Sequence, residues 1–343
     1  WGRICALQWT SPVNLSSVER GRECCANVDS LRVHEVAMMT EDELAHYPGA
    51  HPPDRTRTVD AHGVKLAVYE WGDEDDRPLL LVHGGFDFAR TFDVFAPMLA
   101  EHGYRVVSYD HRGHGDSQHV ELYSWLADER DLLAVADSVS LEPIPVVGHS
   151  KGGALLVHLI EAMPHRFSRF VAIDGLPFRR PPPDVAERER VVSMMHDEVS
   201  NWLDHRQRAS TLKRKPGTVE ELARRRARMN PRLSVDWLRF IVHQGARHDS
   251  DGWRWKIDPS LRMGGFGPWR ARWLTDRLPG FPIPLLAILG TENEPMAWGV
   301  RREDIAPFLP PSARCEVMRD TGHFIHIEHP YETAALVLDF LDV

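Results

Sequence analysis

Apolar residues along this chain fall in short, regularly spaced bursts, most of them running into a cluster of glycine, aspartate, histidine or serine. Thr56–Val59 and Val64–Glu70 flank Asp60-Ala61-His62-Gly63, which predicts a β-hairpin. Leu79-Leu80-Leu81-Val82 is continuously apolar, as expected of a strand covered on both faces, and it leads into His83-Gly84-Gly85-Phe86-Asp87. Phe92, Phe95, Met98 and Leu99 give Thr91–Glu101 the spacing of one helix, and Tyr104–Tyr109 predicts the next strand. Trp125, Leu126, Leu132, Leu133 and Val135 mark a helix, followed by a strand at Ile144–Val147, a helix over 152–163 and a strand at Phe170–Ile173 that ends in Asp174-Gly175. Two further strands are predicted at Leu285–Leu289 and Arg314–Met318, with a short helix at Arg302–Phe308 between them and a closing helix at Pro330–Leu341. Strands and helices alternating at this rhythm predict an α/β fold, a mostly parallel central sheet flanked by helices.

Two regions break the rhythm. Residues 177–280 contain Pro181-Pro182-Pro183, several helical stretches and no convincing strand, and they carry 22 Lys+Arg against 13 Asp+Glu. They read as a helical insertion lying over the C-terminal ends of the strands, where open α/β sheets build their sites. The run Arg224-Arg225-Arg226 within it reads as a solvated helix face. Residues 1–50 read as an N-terminal extension, non-native or disordered, with Met38 or Met39 as candidate true starts. The core is therefore expected over 51–176 and 281–343.

Composition narrows the function classes. Of 343 residues, 43% are hydrophobic and 27% charged, which is ordinary for a globular protein. A net charge of −9 argues against nucleic acid, and no apolar run approaches the ~18 residues that span a membrane. Cys5, Cys24, Cys25 and Cys315 show no metal-type spacing, so a reduced, cytoplasmic protein is the expectation.

The chemistry concentrates at Gly148-His149-Ser150-Lys151-Gly152-Gly153, a G-x-S-x-G pattern between a predicted strand and the apolar helix that begins Ala154-Leu155-Leu156. A serine at the apex of a sharp strand-to-helix turn needs small residues two positions away on either side. Its Oγ projects above the sheet, and the first amides of the helix point at negative charge forming beside it.

Four motifs stand in chain order: His83-Gly84-Gly85; Asp110-x-Arg112-Gly113-His114-Gly115-x-Ser117; Gly148-His149-Ser150-Lys151-Gly152-Gly153; and Gly322-His323 with Glu328-x-Pro330. Together they resemble the α/β-hydrolase superfamily over residues 56–343, with the insertion resembling that family's variable cap. The resemblance implies Ser150 as nucleophile and His323 as its base. It implies an oxyanion hole from the amides of Lys151 and Gly85, with Phe86 as fallback. Many relatives carry their acid in a Gly-x-x-Asp after the strand at 285–289, but Asn293 fills that slot here. Asp174 is then the first candidate acid, at a position resembling that of haloalkane dehalogenases, and Glu292 is the alternative, with Glu294 also flanking the slot. The Lys151 side chain is expected to point to solvent, and Arg112 to brace loops. The stretch Gly85–Asp93 resembles bacterial hydrolases with an H-G-G-x-D-x-x-R-x-x-D pattern, which implies Asp87 and Arg90 at a pocket entrance. His323, His326 and His329 have a metal-like spacing, but on a loop running into Pro330, so His326 and His329 are assigned to packing and no metal or cofactor is expected.

The implied activity is hydrolysis of a carboxylic ester, lactone or thioester of a small molecule through an acyl-enzyme. Serine at the nucleophile position disfavours the epoxide-hydrolase and dehalogenase chemistries of the superfamily, which use aspartate there. The alternatives are C–C bond hydrolysis of a ketoacid, with the basic insertion recognising carboxylates, and a slow-turnover receptor or pseudoenzyme, towards which the missing aspartate at 293 leans. Substrate identity and oligomeric state are not legible in the chain.

Overall fold

Ten strands, β1 (Arg55–Ala61), β2 (Val64–Trp71), β3 (Arg77–Val82), β4 (Tyr104–Tyr109), β5 (Ile144–His149), β6 (Phe167–Ile173), β7 (Ala246–Asp249), β8 (Gly252–Trp255), β9 (Leu285–Gly290) and β10 (Arg314–Met318), occur among the described residues. The computed structural model describes residues 46–176, 200–209, 211–261 and 277–342. Eight strands form one sheet in the order β1-β2-β4-β3-β5-β6-β9-β10. β1 and β2 are the antiparallel hairpin at one edge, and from β4 to β10 all neighbours are parallel. The hairpin closes through a two-residue turn, His62 and Gly63, both at positive φ (57° and 87°), as the strand twist favours.

The uniform apolar runs conceal a two-residue period that only the packing resolves. Leu80 and Val82 of β3, with Val146 of β5 and Leu285 and Leu289 of β9, join one core against helices Trp125–Val139 and Lys151–Ala162. Leu79, Leu81, Val147, Leu286 and Ile288 join the other, against helices Phe95–Ala100 and Pro330–Leu341. Both faces of each central strand are therefore apolar, at about 1.5–3 kcal/mol per buried leucine or valine. Among the described residues no helix is long and apolar enough to cross a membrane.

Three local expectations need correction. The single helix over Thr91–Glu101 is a 3-10 turn, Ala89–Phe92, followed by helix Phe95–Ala100. Pro97 has no amide to donate and so suits a first turn, and the restart still lets Phe92, Phe95 and Leu99 face one core. The 177–280 segment contains helices at 200–209, Val219–Ala227 and Val235–Gly245, but also the antiparallel pair β7–β8. That hairpin has no apolar alternation to announce it. It is held by Arg254 on Asp249 (2.7 Å) and on Asp251, with Gly252 at φ 121° directly after the turn. Part of the stretch read as an N-terminal extension is also packed: the Tyr47 ring lies 4.9 Å from that of Trp237, and Ala50 packs against the same cluster. The candidate starts at Met38 and Met39 lie outside the described residues, as do 177–199 and 262–276.

β3 and β5 are neighbours, yet the chain runs from β3 outward to β4 before returning to β5. Their carboxyl ends thus flank the crevice at which open α/β sheets bind ligands. The loops that follow these two strands carry Gly85 and Ser150.

Candidate active site

Ser150 joins β5 directly to helix Lys151–Ala162 with φ 52° and ψ −119°, a conformation that costs about 1–3 kcal/mol for a residue with a side chain. The surroundings impose it. Ser150 N donates to the Ile173 carbonyl (3.2 Å), and its own carbonyl accepts from Ala154 N (3.2 Å), which starts the helix. A Cβ at Gly148 would lie 2.6 Å from Gly153 Cα, and one at Gly152 would lie 2.2 Å from the Val82 carbonyl oxygen. The two glycines are therefore what allow the turn to form against β3. Ser150 keeps 7% of its surface exposed.

Two other loops from the same sheet edge meet at His323. Asp174 immediately follows β6 at φ 40°, its amide donating to the Ile288 carbonyl (2.8 Å), and its Oδ2 lies 2.5 Å from His323 Nδ1. With the proton on Nδ1 and donated to that carboxylate, Nε2 is left as the basic nitrogen. The backbone of His323 is clamped as well. Its amide donates to Glu294 Oε2 (2.6 Å) and its carbonyl accepts from His149 Nε2 (3.0 Å), so the residue before the serine steadies the histidine loop.

Of the acids weighed from sequence, only Asp174 is on the histidine ring. Glu292 is exposed and takes a bond from the hydroxyl of neighbouring Thr291 (3.2 Å), and Asn293 is exposed. Glu294 is buried and serves the backbone instead. That backbone role has no signature in the sequence.

The loop after β3 packs on the serine turn: a Cβ at Gly84 would lie 3.1 Å from Ser150 Cβ. Three neutral histidines shape it. His83 Nδ1 donates to the Gly84 carbonyl (2.7 Å) while its Nε2 accepts from His111 N (3.0 Å), and His111 Nε2 donates to the His83 carbonyl (2.9 Å). His114 Nδ1 donates to the Arg112 carbonyl (3.1 Å), and its Nε2 accepts from Phe86 N (3.2 Å). Burial first, and then neighbouring histidines and Lys151, hold all three well below the usual histidine pKa. The Phe86 amide, the fallback oxyanion donor, is thus committed to His114. The Gly85 amide bonds to no described residue, and the Lys151 amide, first of its helix, has no intrahelical acceptor.

Several expectations about charged side chains are overturned. Lys151 does not reach solvent: its Nζ is 2.7 Å from Asp128 Oδ2 and 5.5 Å from the centre of the Trp125 ring. Facing back onto helix Trp125–Val139, it enters a buried network in which Arg112 grips Asp131 with two 2.6 Å bonds and also donates to the Leu122 carbonyl. Loop bracing by Arg112 is as expected. Arg90 forms a forked pair with Asp93, the shortest contact being 2.6 Å. Asp87 is buried, within 3.3 Å of both Thr91 Oγ1 and Arg226 Nη2, and burial raises its pKa to about 6 against the pull of that arginine. Arg226 therefore leaves the solvated face assigned to it, because its helix turns that position onto the loop after β3. His326 sits on a helical turn, Ile325–Glu328, among the rings of His149 (4.7 Å), Phe92 (5.0 Å) and Phe95 (6.0 Å). His329 lies 4.0 Å from Glu332. No cluster of potential metal ligands occurs among the described residues.

A family model described as alpha/beta hydrolase fold matches residues 77–330. The chain is similar to epoxide hydrolase A of Mycobacterium tuberculosis, 26% identical over 83% of this chain and 96% of that protein. It is also similar to esterase YbfF of Escherichia coli, 24% identical over 75% and 89% of the two. A serine hydrolase-like protein of Dictyostelium discoideum is 34% identical, but over 33% of this chain, which spans only 32% of that relative's length. Among solved structures, the thioesterase domain from the curacin biosynthetic pathway matches with a TM-score of 0.69 at 23% identity, covering 83% of this chain and 99% of that domain, a likeness of fold.

Proposed function

This chain belongs to the alpha/beta hydrolase fold family, and on that premise we propose that it is a serine hydrolase that cleaves a carboxylic ester, lactone or thioester of a small molecule through an acyl-enzyme on Ser150. The observation that carries the reading is a His323–Asp174 couple at 2.5 Å whose acid follows β6, the strand beside the one that ends in a strained serine at a helix N-terminus. In this mechanism His323 Nε2 takes the Ser150 proton as Oγ attacks the carbonyl carbon, and Asp174 stabilises the imidazolium that results. The oxyanion is received by the amides of Gly85 and Lys151. His323 then protonates the leaving alcohol or thiol and activates the water that releases the acid. The helix N-terminus favours the developing negative charge.

The named activities of the relatives, an esterase and an epoxide hydrolase, both fall within hydrolysis. A serine rather than an aspartate at the elbow supports the ester reading between those two. The asparagine at 293, which leaned towards a receptor, loses its weight because Asp174 already holds the ring.

A panel of p-nitrophenyl esters tests the reading. The wild-type protein is expected to turn over at least the short-chain members, and Ser150→Ala to lose about 10⁴-fold or more of kcat. Turnover that survives Ser150→Ala would remove the serine from the reaction.

A further inference from the structure

Within the run Arg224-Arg225-Arg226, three neighbours do three different things. Arg224 donates to the Glu220 carbonyl of its own helix and is exposed, and Arg225 caps the carbonyls of Lys215 and Pro216. Arg226 turns inward. The register of its helix, Val219–Ala227, is set by a capping box between Thr218 and Glu221 and by burial of Leu222 and Ala223. Those residues precede Arg226 by four and three positions, so all three share one helix face. From there its Nη1 donates to the Phe86 carbonyl (2.5 Å), its Nη2 lies 3.3 Å from Asp87 Oδ1, and its guanidinium is 5.8 Å from the centre of the Phe324 ring, next to His323.

These contacts complete the anchoring of the loop after β3. The Gly84 carbonyl is held by His83 and the Phe86 amide by His114. Phe86 itself is at φ 57°, a conformation that side chains resist, and its carbonyl is held by Arg226 from the 177–280 segment. The amide left over between these anchors is that of Gly85. Asp87, one residue beyond, is buried with Arg226 as its ion-pair partner.

We propose that Arg226 is a positioning residue for the reaction: by fixing the Phe86 carbonyl and the Asp87 carboxylate it keeps the loop after β3 in the shape that presents the Gly85 amide to the oxyanion, without itself touching substrate. The inference rests on the serine-hydrolase reading. It makes turnover depend on a side chain from outside the sheet, through the tetrahedral state rather than through substrate binding.

Arg226→Met and Arg226→Lys separate this role from its alternatives, with p-nitrophenyl acetate as substrate and an aryl trifluoromethyl ketone as probe of the tetrahedral oxyanion. Arg226→Met is expected to lower kcat by about 10–100-fold, a part of what loss of a whole oxyanion donor removes, with KM within about twofold. Affinity for the ketone should fall by the same factor as kcat. Arg226→Lys is expected to recover part of the loss, because an ammonium supplies the charge opposite Asp87 but not the forked geometry. If Arg226→Met does not fold, as judged by circular dichroism and thermal melting, the Lys variant carries the same test through its parallel loss of kcat and ketone affinity. Unchanged kcat, a rise in KM alone, or a fall in kcat without weaker ketone binding overturns the inference. A wild-type protein that turns over no ester defeats the hydrolase reading itself, whereas an active wild type matched by both variants defeats only the role of Arg226.

Discussion

Replacing Asp174 with asparagine is expected to lower kcat on p-nitrophenyl esters by about 10⁴-fold, whereas Glu292→Gln should stay within about twofold of wild type. The size of the first effect follows from the proton on the histidine. Asp174 Oδ2 lies 2.5 Å from His323 Nδ1, so the carboxylate demands a proton there and leaves Nε2 free to accept one from Ser150. An asparagine amide at the same place can turn its NH₂ to the ring, which moves the imidazole proton to Nε2 and removes the base. It also withdraws the negative charge that stabilises the imidazolium. Glu292 has neither role, since its carboxylate is exposed and engaged with Thr291. Steady-state kinetics on the two purified variants reads the result. Loss of turnover in Glu292→Gln with Asp174→Asn unaffected would move the acid to the loop after β9.

The second large effect is on stability. Unfolding should become markedly easier as the pH falls below about 6.5, because the site is built on histidines that must stay neutral. His83, His111, His114 and His149 are held well below the usual value by burial first and then by neighbouring groups, other histidines in each case and Lys151 for the first three, and His326 is pushed down to about 3, chiefly by burial. An unfolded histidine takes its proton near 6.5. Between the folded and unfolded values the unfolded state therefore binds more protons, so the stabilisation is complete above about 6.5 and is lost on acidification. Asp87, Asp93 and Asp110 act in the opposite direction, since burial raises each to about 6 and the folded state binds their protons first as the pH drops towards 4. Asp131 is raised by burial as well, but the five histidines outnumber these four aspartates, so on balance unfolding takes up protons below about pH 6. Each proton taken up on unfolding removes about 1.4 kcal/mol per pH unit, a sizeable share of a total stability of about 5–15 kcal/mol. Denaturant titrations at pH 7, 6 and 5 measure it. Stability that is flat or rising between pH 7 and 5 would mean the histidines are not buried in their neutral form.

Local pattern sufficed where a residue's role depends on its sequence neighbours. The burst Leu79–Val82, the glycines two residues either side of Ser150 and the turn at His62-Gly63 each act through a chain segment that contains them, so strand, elbow and hairpin were all legible. Roles set by distant partners were not. Lys151 is buried because Asp128 lies across from it on another helix, and Arg226 because Phe86 and Asp87 lie 140 and 139 residues away in the chain. Neither residue type nor spacing reveals such an encounter, and a run of arginines taken alone looks solvated. The acid was ambiguous for a related reason. Asp174 and Glu292 both precede His323 at strand ends, and only the placement of β6 beside β9 brings the first onto the ring. β7 and β8 leave no such pattern in the chain, because ionic contacts and contacts with the Gly217 backbone, rather than apolar alternation, hold them.

The central claim is that Ser150 becomes covalently acylated. The most direct measurement treats the native protein with a fluorophosphonate and locates the adduct by peptide mass spectrometry, while ester turnover is followed in the same sample. The account predicts a single adduct on Ser150, formed in proportion to the turnover lost and absent from Ser150→Ala. Complete loss of turnover with Ser150 unmodified, or an undiminished adduct in Ser150→Ala, would contradict it.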